Sequence, residues 1–94
     1  MAIARVVTFD GVTKDRMEQM KGEMEGSDPP EGFPSAEMLV FHDPDAESST
    51  VVVIFDNEDD YRKGDEILNA MPAGDTPGQR TSVKRYDVAM RMSN

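Results

Sequence analysis

The single histidine, His42, is followed directly by Asp43, and an imidazole tuned by a neighbouring carboxylate can act as a general acid or base near neutral pH. Residues 36–42 alternate like a strand, however, and neighbours on a strand point to opposite faces. The pair is badly placed to cooperate, and His42 reads as a surface or hairpin residue. Asp43, Asp45 and Glu47 alternate like the opening of a calcium loop. Such a loop needs a glycine at its sixth position and a bidentate glutamate at its twelfth, where this chain has Ser48 and Ile54, so no metal site is expected there. Glu58, Asp59 and Asp60 form a second acidic cluster, which helix capping explains in full. The chain has no cysteine, which excludes disulfides, thiolate catalysis and cysteine-ligated metals. It shows no nucleophile–base pair, phosphate loop or dinucleotide glycine pattern.

The methionines carry more chemical interest. Met17, Met20 and Met24 recur at spacings of three and four, on one face of a helix, and Met38 and Met71 can join them. Flexible thioether side chains fill irregular gaps, so plain core packing is the first reading. The second is a cleft between helices and sheet that takes a flat, apolar or aromatic small molecule. Its candidate lining is Met17, Met20, Met24, Met38, His42, Tyr61, Met71, Arg85 and Tyr86. In the last strand, Lys84, Tyr86, Val88 and Met90 share one face, and Val83, Arg85, Asp87, Ala89 and Arg91 the other. If the latter face lines a dimer interior, Arg85 and Asp87 need partners there. Arg5, one strand away, could share that network or an anionic ligand.

The elements that hold these residues follow from local signals. Residues 3–9 are rich in β-branched and aromatic types and read as a strand, broken by Asp10 and Gly11. Thr13 caps a helix that stops at Gly26. Residues 26–34 hold three prolines and two glycines and form a loop, which Phe33 pins to the body. Strands follow at 36–42 and 50–55, joined by a polar connection. Asn57 caps a second helix, whose apolar stripe is Tyr61, Gly64, Ile67, Leu68 and Met71 and which Pro72 ends near residue 70. Residues 74–80 make a turn that launches the last strand, with Asp75 and Arg80 placed to bridge it; a lid over the cleft is the functional alternative. The last strand is expected from Thr81 to Met92.

Ninety-four residues make one domain. A net charge of −9 repels phosphate backbones, so nucleic acid is not expected as a partner. The charge is uneven, because Arg80, Lys84, Arg85 and Arg91 gather in residues 76–94 against Asp87 alone. No apolar run approaches the roughly 18–20 residues of a membrane helix, and the first residues do not resemble a signal peptide. The expected setting is cytoplasmic, without a membrane.

The order β-α-β-β-α-β, wound as two right-handed interleaved units, gives an α+β, ferredoxin-like sandwich: a four-stranded antiparallel sheet with two helices on one face and strands 1 and 3 central. Strand 3 is apolar on both sides, with Val51, Val53 and Phe55 against Val52 and Ile54, and strands 1 and 2 repeat this. Two helices cover one face only, so a second copy of the sheet is expected on the other, making a homodimer.

This order, length and two-sided sheet resemble the dimeric α/β-barrel superfamily, which includes antibiotic-biosynthesis-type monooxygenases, haem-degrading monooxygenases, isomerases and ligand-sensing domains. The resemblance implies two sheets packed face to face into a barrel with helices outside. It leaves three functions open: a binder of an apolar or aromatic molecule, a cofactor-independent monooxygenase or isomerase, and a non-catalytic interaction module. The haem-degrading members use an asparagine, a tryptophan and a histidine. This chain has no tryptophan, its Asn57 and Asn69 belong to the second helix, and His42 is not on a helix. That set does not carry over, and no haem or other cofactor is expected.

Overall fold

A computed structural model of the chain describes residues 1–26, 28–29, 31–70 and 77–93. The elements are β1 (Ile3–Asp10), α1 (Lys14–Glu25), β2 (Ala36–Asp43), β3 (Ser48–Phe55), α2 (Glu58–Asn69) and β4 (Gln79–Asp87). The strands lie in the order β2-β3-β1-β4, and every neighbouring pair is antiparallel. This is the ferredoxin-like sandwich, with β1 and β3 central.

Both helices begin where the sequence places a cap. The Thr13 hydroxyl accepts from the Arg16 amide at 3.1 Å. The Asn57 side chain accepts from the Asp60 amide at 2.8 Å, and each satisfies an amide that the first helical turn leaves unpaired. The last strand is shorter than its sequence alternation suggests. Antiparallel pairing matches Asp87 with Ile3, after which β1 has run out. One further bond, from the Val88 amide to the Ala2 carbonyl at 2.9 Å, closes the ladder, and residues 88–93 leave the sheet. β4 also carries a bulge. Thr8 faces Ser82 but Phe9 faces Arg80, so Thr81 is an extra residue.

Registry decides the faces. Ile3, Arg5, Val7 and Phe9 of β1 and Ser49, Val53 and Phe55 of β3 are buried on the side of the helices. Met38, Val40 and His42 of β2 share that side, as do Val83, Arg85 and Asp87 of β4. Arg85 and Asp87 therefore lie on the helix side, with Arg85 reaching the start of α2, and the face lying away from the helices is the Lys84–Tyr86 face.

The core is anchored by α2. Phe55 is fully buried, with Phe33 at 6.0 Å between ring centroids and Tyr61 edge-on at 5.8 Å. Phe33 thus pins the loop before β2. Gly64 is the buried residue of α2, and a Cβ added there would overlap the Phe55 ring, so the helix can sit this low only because position 64 has no side chain. Val7, Phe9 and Val12 form a second cluster, with Met17 packed against it. Otherwise α1 sits high, and none of its residues is buried.

Candidate functional site

The polar seam under α2 is built from residues at spacings of three, four and four on that helix: Glu58, Tyr61, Asp65 and Asn69. Arg5, in the middle of central strand β1 and 4% exposed, donates through Nε to Asp65 at 2.8 Å and through Nη2 to the Asn69 side-chain oxygen at 3.0 Å. Arg80 donates to the same oxygen at 3.0 Å. Arg85 lies directly opposite Arg5 across the β1–β4 pair. It donates to Glu58 at 3.3 Å, and its guanidinium carbon stands 5.1 Å from the centre of the Tyr61 ring. Two adjacent arginines are thus tolerated because each meets its own carboxylate. The Arg85 hydrogen bond, then the charges of Arg62 and Arg85, hold the Glu58 carboxyl below its ordinary range. Burial, reinforced by the Asp65 charge, pushes the Tyr61 phenol up. No buried side-chain polar atom among the described residues lacks a partner. The seam is a closed structural network, and Arg5 is spent on holding α2 rather than on an anion.

His42 is also committed. Its Nε2–H donates to the Val12 carbonyl at 2.9 Å, while the Val12 amide donates to the Glu47 carbonyl at 2.7 Å. The Asp43 carboxylate accepts from the amides of Asp45 and Ala46 at 3.1 and 3.2 Å, and Glu47 takes a positive φ of 51°. These residues lock the β2–β3 hairpin to the β1–α1 loop. Among the described residues no cluster of histidine or acidic side chains could hold a metal ion.

The methionine side is different. Met17 and Met20 are half-buried, and Met24 is exposed. Met38 and Val40 point to the helix side of β2 yet remain 43% and 41% exposed. The helix layer therefore closes over β1 and β3 but leaves edge strand β2 uncovered. The cause is compositional: α1 offers three flexible methionines and no branched or aromatic residue to seat it. The nine candidate lining residues do not form one pocket. Met17, Met20, Met24, Met38 and His42 belong to the α1–β2 side. Tyr61 and Arg85 belong to the seam at the other edge, Tyr86 lies on the opposite face of the sheet, and Met71 lies outside the described residues. Of the turn at 74–80, residues 77–80 are described, and Arg80 meets Asn69. Asp65, Asn69 and the Val12 carbonyl were the partners that the sequence concealed; the one hint was an arginine inside an apolar strand.

The face away from the helices is open. Registry arranges it in three rows: Ser82-Thr8-Thr50-Phe41, Lys84-Val6-Val52-Leu39 and Tyr86-Ala4-Ile54-Glu37. Phe41 is 55% exposed, Tyr86 50% and Leu39 40%. Hydroxyls collect at one end, with Thr8 at 2.7 Å from both Thr81 and Ser82. At the other end Arg91, in the segment that leaves β4, forms an ion pair with Glu37 of β2. No helix of the described residues is long and apolar enough to cross a membrane. No protein-family model matches the sequence, and neither a curated protein nor a solved structure does.

Proposed function

We propose that the chain is a homodimeric binding module for an apolar or aromatic small molecule, taken up between α1 and β2. The observation that carries this reading is the half-exposure of Met38 and Val40 on the side that a helix layer should cover, in a chain whose first helix has no buried residue. Methionine supplies an adaptable, polarisable wall, suited to flat apolar ligands of varied outline. The groups near this layer favour binding over catalysis. His42, the one titratable side chain of β2 on this side, already donates to a backbone carbonyl. Methionine methyl NMR tests the reading. Ligands from a panel of apolar and aromatic compounds should shift the methyls of Met17, Met20, Met24 and Met38 together and leave Met1 and Met92 in place. A panel that moves none of the four at millimolar concentration defeats it.

The dimer part of the proposal draws on the open face. Burying a side chain such as Phe41, Leu39, Val52 or Ile54 contributes about 1.5–3 kcal/mol when it starts fully exposed, and proportionately less from half-exposure. Several such residues offset the loss of freedom on association. Two sheets packed in this way give the barrel of the dimeric α/β-barrel superfamily, which the order of elements already resembles. Sedimentation equilibrium tests it, and a 10.4 kDa species persisting at high micromolar concentration refutes it.

A further inference from the structure

We propose that the two copies close their open sheets about a two-fold axis parallel to the strands, so that β4 of each copy lies over β2 of the other and Lys84 pairs with Glu37 across the interface. This rests on the homodimer reading and adds its geometry. Face-to-face packing of identical sheets allows two limiting directions for an in-plane two-fold axis, along the strands or across them. The apolar residues of the face do not choose between them, but its charges do.

Glu37 and Lys84 are the charged side chains of the three rows, and they stand on opposite edge strands. Lys84 belongs to the middle row, beside Val6, and has no ion pair with any described residue. An axis across the strands lays β4 on β4 and the middle row on itself. Each Lys84 then faces Lys84 of the second copy across a gap of about 10 Å, while Glu37 is set against Phe41. An axis along the strands lays β4 on β2. Lys84 then covers Leu39 with its aliphatic stem, and Glu37 lies one step of about 7 Å further along, within combined reach of the two side chains. Tyr86 falls over the same carboxylate and can donate its phenol proton. Arg91 engages Oε2 of Glu37, which leaves Oε1 to receive these donors. The symmetry makes the contact twice. Four strands about 4.8 Å apart and eight residues of about 3.3 Å give each face roughly 500 Å² in projection, so the pair reaches the roughly 1,000 Å² that a specific interface needs.

The chain has no cysteine, so introduced thiols report without background. Lys84→Cys and Glu37→Cys proteins are mixed, allowed to exchange subunits above the dimer dissociation constant, and treated with a short bismaleimide. A covalent dimer should form in the mixture and not from Lys84→Cys alone. Cross-linking of Lys84→Cys with itself, or a dimer that cross-links in neither sample, overturns this geometry and leaves the dimer standing. A wild-type protein that sediments as a monomer removes the homodimer reading itself. Charge reversal gives a second readout. Lys84→Glu should weaken the dimer at least about tenfold, or about 1.4 kcal/mol, and adding Glu37→Lys should recover most of it. A Lys84→Glu protein that dimerises as well as wild type also overturns the pairing.

Discussion

Replacing Gly64 with alanine sets two physical effects against each other. Position 64 lies in the interior of α2, where alanine is favoured over glycine by about 1 kcal/mol. Helix propensity alone therefore predicts stabilisation. Packing predicts the reverse, because the added methyl enters the Phe55 ring. That ring cannot retreat, being fully buried and flanked by Phe33 and Tyr61. Either α2 must rise from the sheet, stretching the Arg5–Asp65 contact, or the aromatic cluster must repack. Overpacking of this kind costs about 1–3 kcal/mol, so the net effect is a loss of up to about 2 kcal/mol and a melting temperature lower by up to about 15 °C. Urea unfolding followed by circular dichroism at one fixed protein concentration measures it, since the stability of any self-associating chain varies with concentration. A Gly64→Ala protein more stable than wild type would falsify the packing argument and place α2 higher above the sheet.

Asp65→Ala should destabilise the fold by about 3 kcal/mol in the same assay, because the buried Arg5 guanidinium keeps only Asn69. Val52→Asp and Val53→Asp should differ sharply: Val53 is 2% exposed beneath the helices and its variant should unfold, whereas Val52 lies on the open face and its variant should stay folded as a monomer, read by circular dichroism and sedimentation. The Tyr61 phenol is raised by burial, so the folded state holds its proton more tightly than the unfolded state. Its contribution is complete below the ordinary phenol pKa of about 10 and lost as pH rises through the folded value, so alkaline unfolding should begin at higher pH in Tyr61→Phe. The Glu58 carboxyl is lowered chiefly by its Arg85 hydrogen bond, and an NMR titration of Arg85→Ala should find it moved back up.

The features readable in the sequence were those whose signals are local. Thr13 and Asn57 announce their helices because capping involves residues three apart, and strand alternation sets the two faces of β3 before any partner is known. The extent of β4 was not readable. Val88, Met90 and Met92 alternate as a strand should, but what ends the strand is the exhaustion of β1 at Ile3, a fact of registry between segments far apart in the chain. The seam was hidden for the same reason. Asp65 and Asn69 look like residues of a solvated helix face until the pairing of β1 with β3 and β4 brings Arg5 beneath them. The methionine spacing identified a face of α1, but three flexible side chains say little about how closely a helix descends onto a sheet.

The bulge at Thr81 makes the length of β4 matter in parity as well as in number. Because side chains alternate, one supernumerary residue exchanges the two faces for everything beyond it. Ser82 to Asp87 keep one phase, while Arg80 is carried to the helix side, where it reaches Asn69. Deleting Thr81 would therefore leave Arg80 directly before Ser82 and still opposite Phe9 on the helix side, whereas drawing Thr81 into regular pairing would turn Arg80 outward toward the open face and remove a guanidinium from the end of α2. Chains descended from a common ancestor with this one can therefore lose the bulged residue without moving Arg80, and it is loss of the bulge at constant strand length that should be accompanied by a change at position 69.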